Sequence, residues 1–187
     1  KWIFTKYDIF NRVVCTGMWT NPIAGQQRSD VQNAVNLQSN PVWHESKLAG
    51  TANNINGTVI MYTNQSFPNT TSNLDVYSIQ YYDDYNFDTL GLDSEPSFGI
   101  TPTTNVKGLS TGSKTRILET NQWITTISYY DEKARPVFMT TFNAYTGVLD
   151  KIKTKLDFTG NVLESENIHS KSGLNITTRD FFTYDHS

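Results

Sequence analysis

The chain has 187 residues, enough for one domain with an appendage and for a real hydrophobic core. Apolar residues make up 37%, aromatic residues 13% and charged residues only 18%, a balance that favours strands and turns over helices. The net charge of −3 excludes a general basic field for nucleic acid, the single Cys15 excludes an internal disulfide, and no apolar run is long enough to span a membrane as a helix.

Taken in chain order, residues 2–8 and 12–20 read as two short strands around a turn. A loop follows at residues 21–25. Ser29 is placed to cap a short helix over residues 30–38, with Val31, Ala34, Val35 and Leu37 as its apolar positions, and Asn40-Pro41 ends it. Residues 50–57 read as polar linker, and residues 58–63 as a buried-type strand. Residues 74–82 alternate, with Tyr77, Ile79 and Tyr81 on one face. A long acidic loop is expected over residues 83–104, and strands over residues 116–119, 123–130 and 136–143. The Gly108–Thr115 stretch has its glycines too close for a phosphate-binding loop and reads as a turn. Residues 148–158 alternate in period two. Val148, Ile152, Leu156 and Phe158 are expected on the core face, and Lys151, Lys153, Lys155 and Asp157 on the face toward water. Strands over residues 162–169 and 174–184 complete an all-β, mainly antiparallel meander.

Charge is spread unevenly. No Lys or Arg occurs from Leu48 to Val106, while Asp75, Asp83, Asp84, Asp88, Asp93 and Glu95 fall there. Within this stretch Asp84, Asn86, Asp88 and Glu95 match the first, third, fifth and twelfth positions of a calcium loop, where alternating oxygen ligands suit a hard cation. Thr89 stands where such a loop needs glycine. Calcium is thus the one candidate cofactor, against the alternative of a solvated acidic loop. The aromatic run around Tyr82 and Tyr85 could stack on sugar rings beside acids that bind hydroxyls. The competing reading is inward-facing rings of a β-core. His44, His169 and His186 have no metal-ligand spacing, and Cys15 in an apolar run reads as a buried thiol. Four Asn-X-Ser/Thr sequons begin at Asn56, Asn64, Asn69 and Asn175, as this composition would give by chance.

Self-comparison exposes a repeat. Tyr7-Asp8-Ile9-Phe10-Asn11-Arg12, Tyr130-Asp131-Glu132-Lys133-Ala134-Arg135, Leu156-Asp157-Phe158-Thr159-Gly160-Asn161 and Tyr184-Asp185-His186-Ser187 share one order of residue types, the last three starting 26 and 28 residues apart. An Asp opens a tight turn by accepting backbone N–H groups just downstream. The fourth turn position calls for positive φ, which Asn11 and Gly160 take easily and Ala134 only at about 1 kcal/mol. The aromatic before each Asp is expected to end a strand and point inward.

This pattern resembles the YD repeat of RHS-type proteins: Tyr-Asp, two variable residues, Gly-Arg, then an aliphatic. The likeness is closest to the form in large surface or secreted proteins of Bacteroidetes, where runs like Phe4-Thr5-Lys6-Tyr7-Asp8 and Tyr81-Tyr82-Asp83-Asp84-Tyr85 flank an insertion. It covers nearly the whole chain, departing at Asn11, Ala134, Leu156 and Asn161. The resemblance implies a curved antiparallel sheet of strand-turn-strand units. It assigns residues 1–20 to a first hairpin, 21–121 to a non-repeat insertion and 122–187 to further repeats, in one continuous unit. It also implies a non-catalytic, extracellular or cell-surface segment whose partners are neighbouring repeats of a longer parent and, in some relatives, an enclosed C-terminal toxin. A chain entering directly on a strand-like run and stopping in mid-repeat is what an internal fragment would show. A carbohydrate-binding or adhesion module at residues 58–104 is the alternative function, and a glycan-active enzyme the third.

Overall fold

The computed structural model describes residues 1–23 and 25–185; His186 and Ser187, the end of the fourth repeat, lie outside them. The protein is mainly antiparallel β with one short helix. Its backbone contacts divide it into two compact units, residues 1–79 and 80–187.

The first unit holds strands β1 (Trp2–Tyr7) and β2 (Val13–Trp19), helix α1 (Arg28–Asn36), the short pair β3 (Asn53–Ile55) and β4 (Thr58–Ile60), and most of β5 (Leu74–Tyr82). β1 pairs with β2 and β2 with β5, both antiparallel. The core is built from Phe4, Val14, Cys15, Trp19, Ile60, Leu74, Val76 and Ile79. The helix starts earlier than the Ser29 cap predicts. Gln27 is the N-cap, and Asp30 reaches back to accept its backbone N–H at 2.7 Å. A carboxylate can close this reciprocal cap where the serine hydroxyl is already one residue inside the helix. The expected linker at residues 50–57 contains β3, hydrogen-bonded in register to β4.

The second unit begins with the last residues of β5. It continues as β6 (Ser110–Arg116), β7 (Trp123–Tyr130), β8 (Pro136–Asn143), β9 (Val148–Leu156), β10 (Val162–Lys171) and β11 (Leu174–Phe181). From β6 to β11 each strand pairs antiparallel with the next, the simplest meander. Strand β6 covers the glycine-containing stretch that reads as a turn in the sequence. Gly112 is there because the backbone passes close under an aromatic ring. A Cβ added at this position would lie 2.3 Å from Cζ of Phe87.

One face of β7 and β8 is buried, and its register leads to the side of β9 opposite to the one expected, although both sides of β9 are half-buried. Thr125, Ile127 and Tyr129 of β7 are buried, with Thr140 and Phe138 opposite the last two on β8. The register continues that face into β9 through Thr140↔Lys151 and Phe138↔Lys153. The lysine side of β9 therefore adjoins the buried face, and the Val148, Ile152, Leu156 side is the outer one. Strand parity makes this an all-or-none matter, since a one-residue offset exchanges every side chain between faces.

Gly112→Ala is expected to lower unfolding free energy by about 1–3 kcal/mol through overpacking against Phe87. Chemical denaturation checks this, and adding Phe87→Leu should recover part of the loss.

Candidate functional site

The repeated turns are the most regular feature of the protein. In the first, Oδ1 of Asp8 accepts the backbone N–H of Phe10 and of Arg12, both at 2.9 Å, and Arg12 Nε donates to Oδ2 at 2.7 Å. In the second, Oδ1 of Asp131 accepts from Lys133 and Arg135, again both at 2.9 Å, and Arg135 Nε donates to Oδ2 at 2.7 Å. In the third, Asp157 accepts from the backbone of Thr159, Gly160 and Asn161 at 2.8, 2.7 and 2.9 Å, and the Asn161 side-chain amide replaces the guanidinium at 3.0 Å. Each Asp backbone N–H donates to the carbonyl four residues on. The fourth position has positive φ in all three: 59° at Asn11, 61° at Ala134 and 101° at Gly160.

The strand pairing around the turns repeats as well. Tyr7↔Val13, Tyr130↔Pro136 and Leu156↔Val162 are partners, and the next rungs are Lys6↔Cys15, Tyr129↔Phe138 and Lys155↔Glu164. Each turn thus carries a bulge at the same place, with Val14, Val137 and Leu163 as the extra residue. Bulges re-aim side chains and raise local twist. The repeats also touch: Arg135 Nη1 donates to the carbonyl oxygen of Asp157 at 2.8 Å, tying one turn to the next.

A further turn of this kind is interrupted. Asp83, after Tyr82, donates its backbone N–H to the Leu109 carbonyl at 3.1 Å and accepts the Gly108 N–H on Oδ1 at 2.7 Å. Gly108 has φ 82°, so Gly108-Leu109 fill the places of Ala134-Arg135, with residues 84–107 inserted between. The Tyr82-Asp83 dipeptide was the available signal, but the closing residues lie too far along the chain for a local pattern to join them.

The tyrosines correct an expectation. Tyr7 and Tyr184 are 41% and 49% exposed and do not pack inward. The residue before, Lys6 or Tyr129, is the buried one. The hydroxyls of Tyr130 and Tyr184 instead donate to backbone carbonyls at the start of the preceding strand, Ser110 at 2.5 Å and Val162 at 2.8 Å. Leu156 lacks the group for this contact. Asp185 follows Tyr184 and is exposed.

The acidic insertion covers the lysine side of the meander rather than extending into water. Tyr85 stacks on Tyr129 with centroids 4.8 Å apart, and Tyr129 stacks on Phe138 at 5.6 Å. Phe87 lies parallel to Tyr81 at 4.2 Å. Tyr129 donates to the Leu92 carbonyl at 2.6 Å. Ser97, fully buried, exchanges two 3.1 Å hydrogen bonds with the Thr154 backbone, where pairing with β8 has ended. Glu95 pairs with Lys151 and, at 2.9 Å, with Lys153, whose ammonium also lies over the Phe138 ring. Hydrogen bonds from these two lysines hold the Glu95 carboxyl below the usual range.

This arrangement speaks against the calcium reading. Glu95 is taken up by two lysines, Asp88 by Lys114 at 2.9 Å, and Asp84 accepts the Asn86 backbone N–H at 2.7 Å. Among the described residues no group of three or more His, Cys, Asp or Glu could hold a metal. The bases that neutralise these acids come from β6 and β9, outside the base-free stretch. Nor is Tyr85 an open sugar platform: one ring face meets Tyr129, and its hydroxyl donates to the Ser128 carbonyl at 3.0 Å. Burial pushes that hydroxyl well above the usual tyrosine range. Tyr82 is half-buried.

A second constellation, which the sequence reading missed, lies in residues 1–79. Lys6 and Glu45 are each 2% exposed. Lys6 Nζ donates to Glu45 Oε1 at 3.0 Å, to the Ser66 carbonyl at 2.8 Å and to Asn64 Oδ1. Glu45 Oε1 also accepts from the Ser66 N–H and hydroxyl, and Oε2 from the Thr63 hydroxyl and the Gln65 N–H, at 2.6 to 3.0 Å. Burial lowers the Lys6 pKa despite Glu45. Burial also pushes Glu45 up, but its hydrogen bonds and Lys6 outweigh this and leave it below the usual range. The neighbouring Cys15 thiol is pushed up to about 12 by burial, which keeps it inert. No spacing rule would have joined residues 6, 45 and 64.

A scan against protein-family models, a search of curated proteins and a search of solved structures found no match.

Two predictions test the turns. Ala134→Gly should stabilise and Gly160→Ala destabilise the fold, each by about 1 kcal/mol, because only the L side chain is penalised at positive φ; paired thermal melts check the opposite signs. Burial raises the Asp131 carboxyl, but Arg135 and the turn's backbone N–H groups more than offset this, so its folded pKa lies below the ordinary value. Its contribution is then full above about pH 4 and lost as pH falls. Asp131→Asn should flatten the acid side of a stability–pH curve and leave its neutral-to-basic slope unchanged.

Proposed function

We propose that this chain is a non-catalytic scaffold segment of YD-repeat type, a stretch of wall in a larger secreted or cell-surface protein. The observation that carries the reading is the Asp-closed turn built three times with matching hydrogen bonds, φ sign and bulge position. A hairpin closed this way buries little by itself, so its natural use is stacking in series. Arg135, donating from one turn to the Asp157 carbonyl of the next, is the kind of link that stacking needs.

The exposed strand β11 supports the same reading. Among the described strands it pairs only with β10, and Leu174, Ile176 and Phe181 on it are 77%, 65% and 72% exposed. A free, apolar edge is a liability unless something covers it. In this reading the cover is the next repeat of the parent, and the enclosed cargo is a C-terminal segment such as a toxin. Tyr130 and Tyr184 serve as clamps onto the preceding strand, while Tyr7, on the first strand, is exposed.

The test is the full-length parent. Its coding region should continue past residue 187 into further Tyr-Asp turns, and electron microscopy of the product should show a wall of repeats around a cavity. A parent without further turns, or one whose repeats form an open surface that binds glycans in a panel screen, would move the function to adhesion.

A further inference from the structure

The Lys6 site has the composition of a self-modifying centre rather than of an ion pair alone. Three features coincide. A primary amine is sealed from water, with Lys6 2% exposed. A carboxylate, Glu45, lies 3.0 Å from that amine. An amide is the third group. The 2.5 Å separation of Lys6 Nζ from Asn64 Oδ1, added to a C=O length of about 1.2 Å, puts Nζ within about 3.7 Å of the amide carbon Cγ. Reacting atoms in a near-attack arrangement are about 3–3.5 Å apart, so attack needs the amine to turn from the Oδ1 oxygen onto the face of Cγ. The amide nitrogen of Asn64 is itself oriented, donating to the Thr70 carbonyl at 2.9 Å.

We propose that Lys6 and Asn64 become joined by an amide bond between their side chains, formed within the folded chain with Glu45 as the proton carrier. Glu45 takes a proton from the Lys6 ammonium. The freed amine attacks Cγ of Asn64, forming the new C–N bond and a tetrahedral centre. The second proton on the lysine nitrogen passes, through Glu45, to the departing asparagine nitrogen. The Cγ–Nδ2 bond breaks and ammonia leaves from beside the Thr70 carbonyl. Glu45 then gives up its remaining proton and returns to the carboxylate. The balance is one ammonium and one amide in, one secondary amide and one ammonium out, with no oxidant or cofactor. Burial favours the neutral, nucleophilic amine, which is how lysine is ordinarily activated. The product would be a covalent tie across 58 residues, in a unit whose single cysteine excludes a disulfide.

The experiment is intact-mass spectrometry of the purified 187-residue chain, followed by peptide mapping. The expected result is a mass one ammonia below the sequence mass, and a branched peptide joining Lys6 to Asn64. Cyclisation of an asparagine onto its own backbone loses the same mass, so Lys6→Arg separates the two: it should restore the sequence mass. Glu45→Gln should slow the mass loss strongly, and Asn64→Asp should change the lost group from ammonia to water. Wild-type protein that is folded by circular dichroism yet keeps its full sequence mass after prolonged incubation would overturn the proposal. So would a mass loss that survives in Lys6→Arg.

Discussion

A single carboxylate accepting backbone N–H groups two and four residues downstream is the contact on which the rest of this protein depends. It turns the chain, fixes the bulge after the turn, and so decides which side of the next strand meets the core. The interaction is local and uses a charged acceptor, which makes it stronger than a neutral hydrogen bond. The chain can therefore vary around it. Asn11, Ala134 and Gly160 all take positive φ at the same turn position despite different costs. Asn161 stands in for arginine at the third turn, keeping the contact to the aspartate.

With the turns fixed, the remaining work is covering apolar strands. In the second unit the insertion does this with stacked rings and complementary charge. Tyr85, Tyr129 and Phe138 form a ladder, and Glu95 meets the lysines that β9 turns to the same face. Lysine suits such a place because its stem packs on apolar surface while its head finds a carboxylate. In the first unit the equivalent inward position before the tyrosine is Lys6, and there the charge is sealed inside and saturated with hydrogen bonds. A buried pair of this kind is costly to desolvate and is poor evidence for stability, which is one more reason to look for chemistry in it.

Much of this was legible beforehand. The all-β class, most strands and the turn chemistry follow from alternation and from Asp, Asn and Gly at fixed offsets, because those signals are local. What failed was long-range. Alternation in β9 gives two faces without saying which is covered, and a salt-bridged lysine looks like a solvated one in sequence. The calcium-like spacing of Asp84, Asn86, Asp88 and Glu95 was real, yet Lys114, Lys151 and Lys153 arrive from strands far along the chain. The buried residue is the one before the repeat tyrosine, Lys6 or Tyr129, and the Lys6–Glu45–Asn64 site carries no local sequence signal.

The interrupted turn at Asp83 has a consequence for how such a chain can change over time. Its two ends are held by two contacts that the Asp157 turn also makes, the Asp backbone N–H to the closing carbonyl and the glycine N–H to the carboxylate, while residues 84–107 loop out and return. The entropy of closing a loop grows only with the logarithm of its length, about 0.6 kcal/mol per doubling. A turn locked at its base is thus a port through which new sequence can be spliced without disturbing the strands on either side. Decoration and scaffold can then evolve on separate clocks.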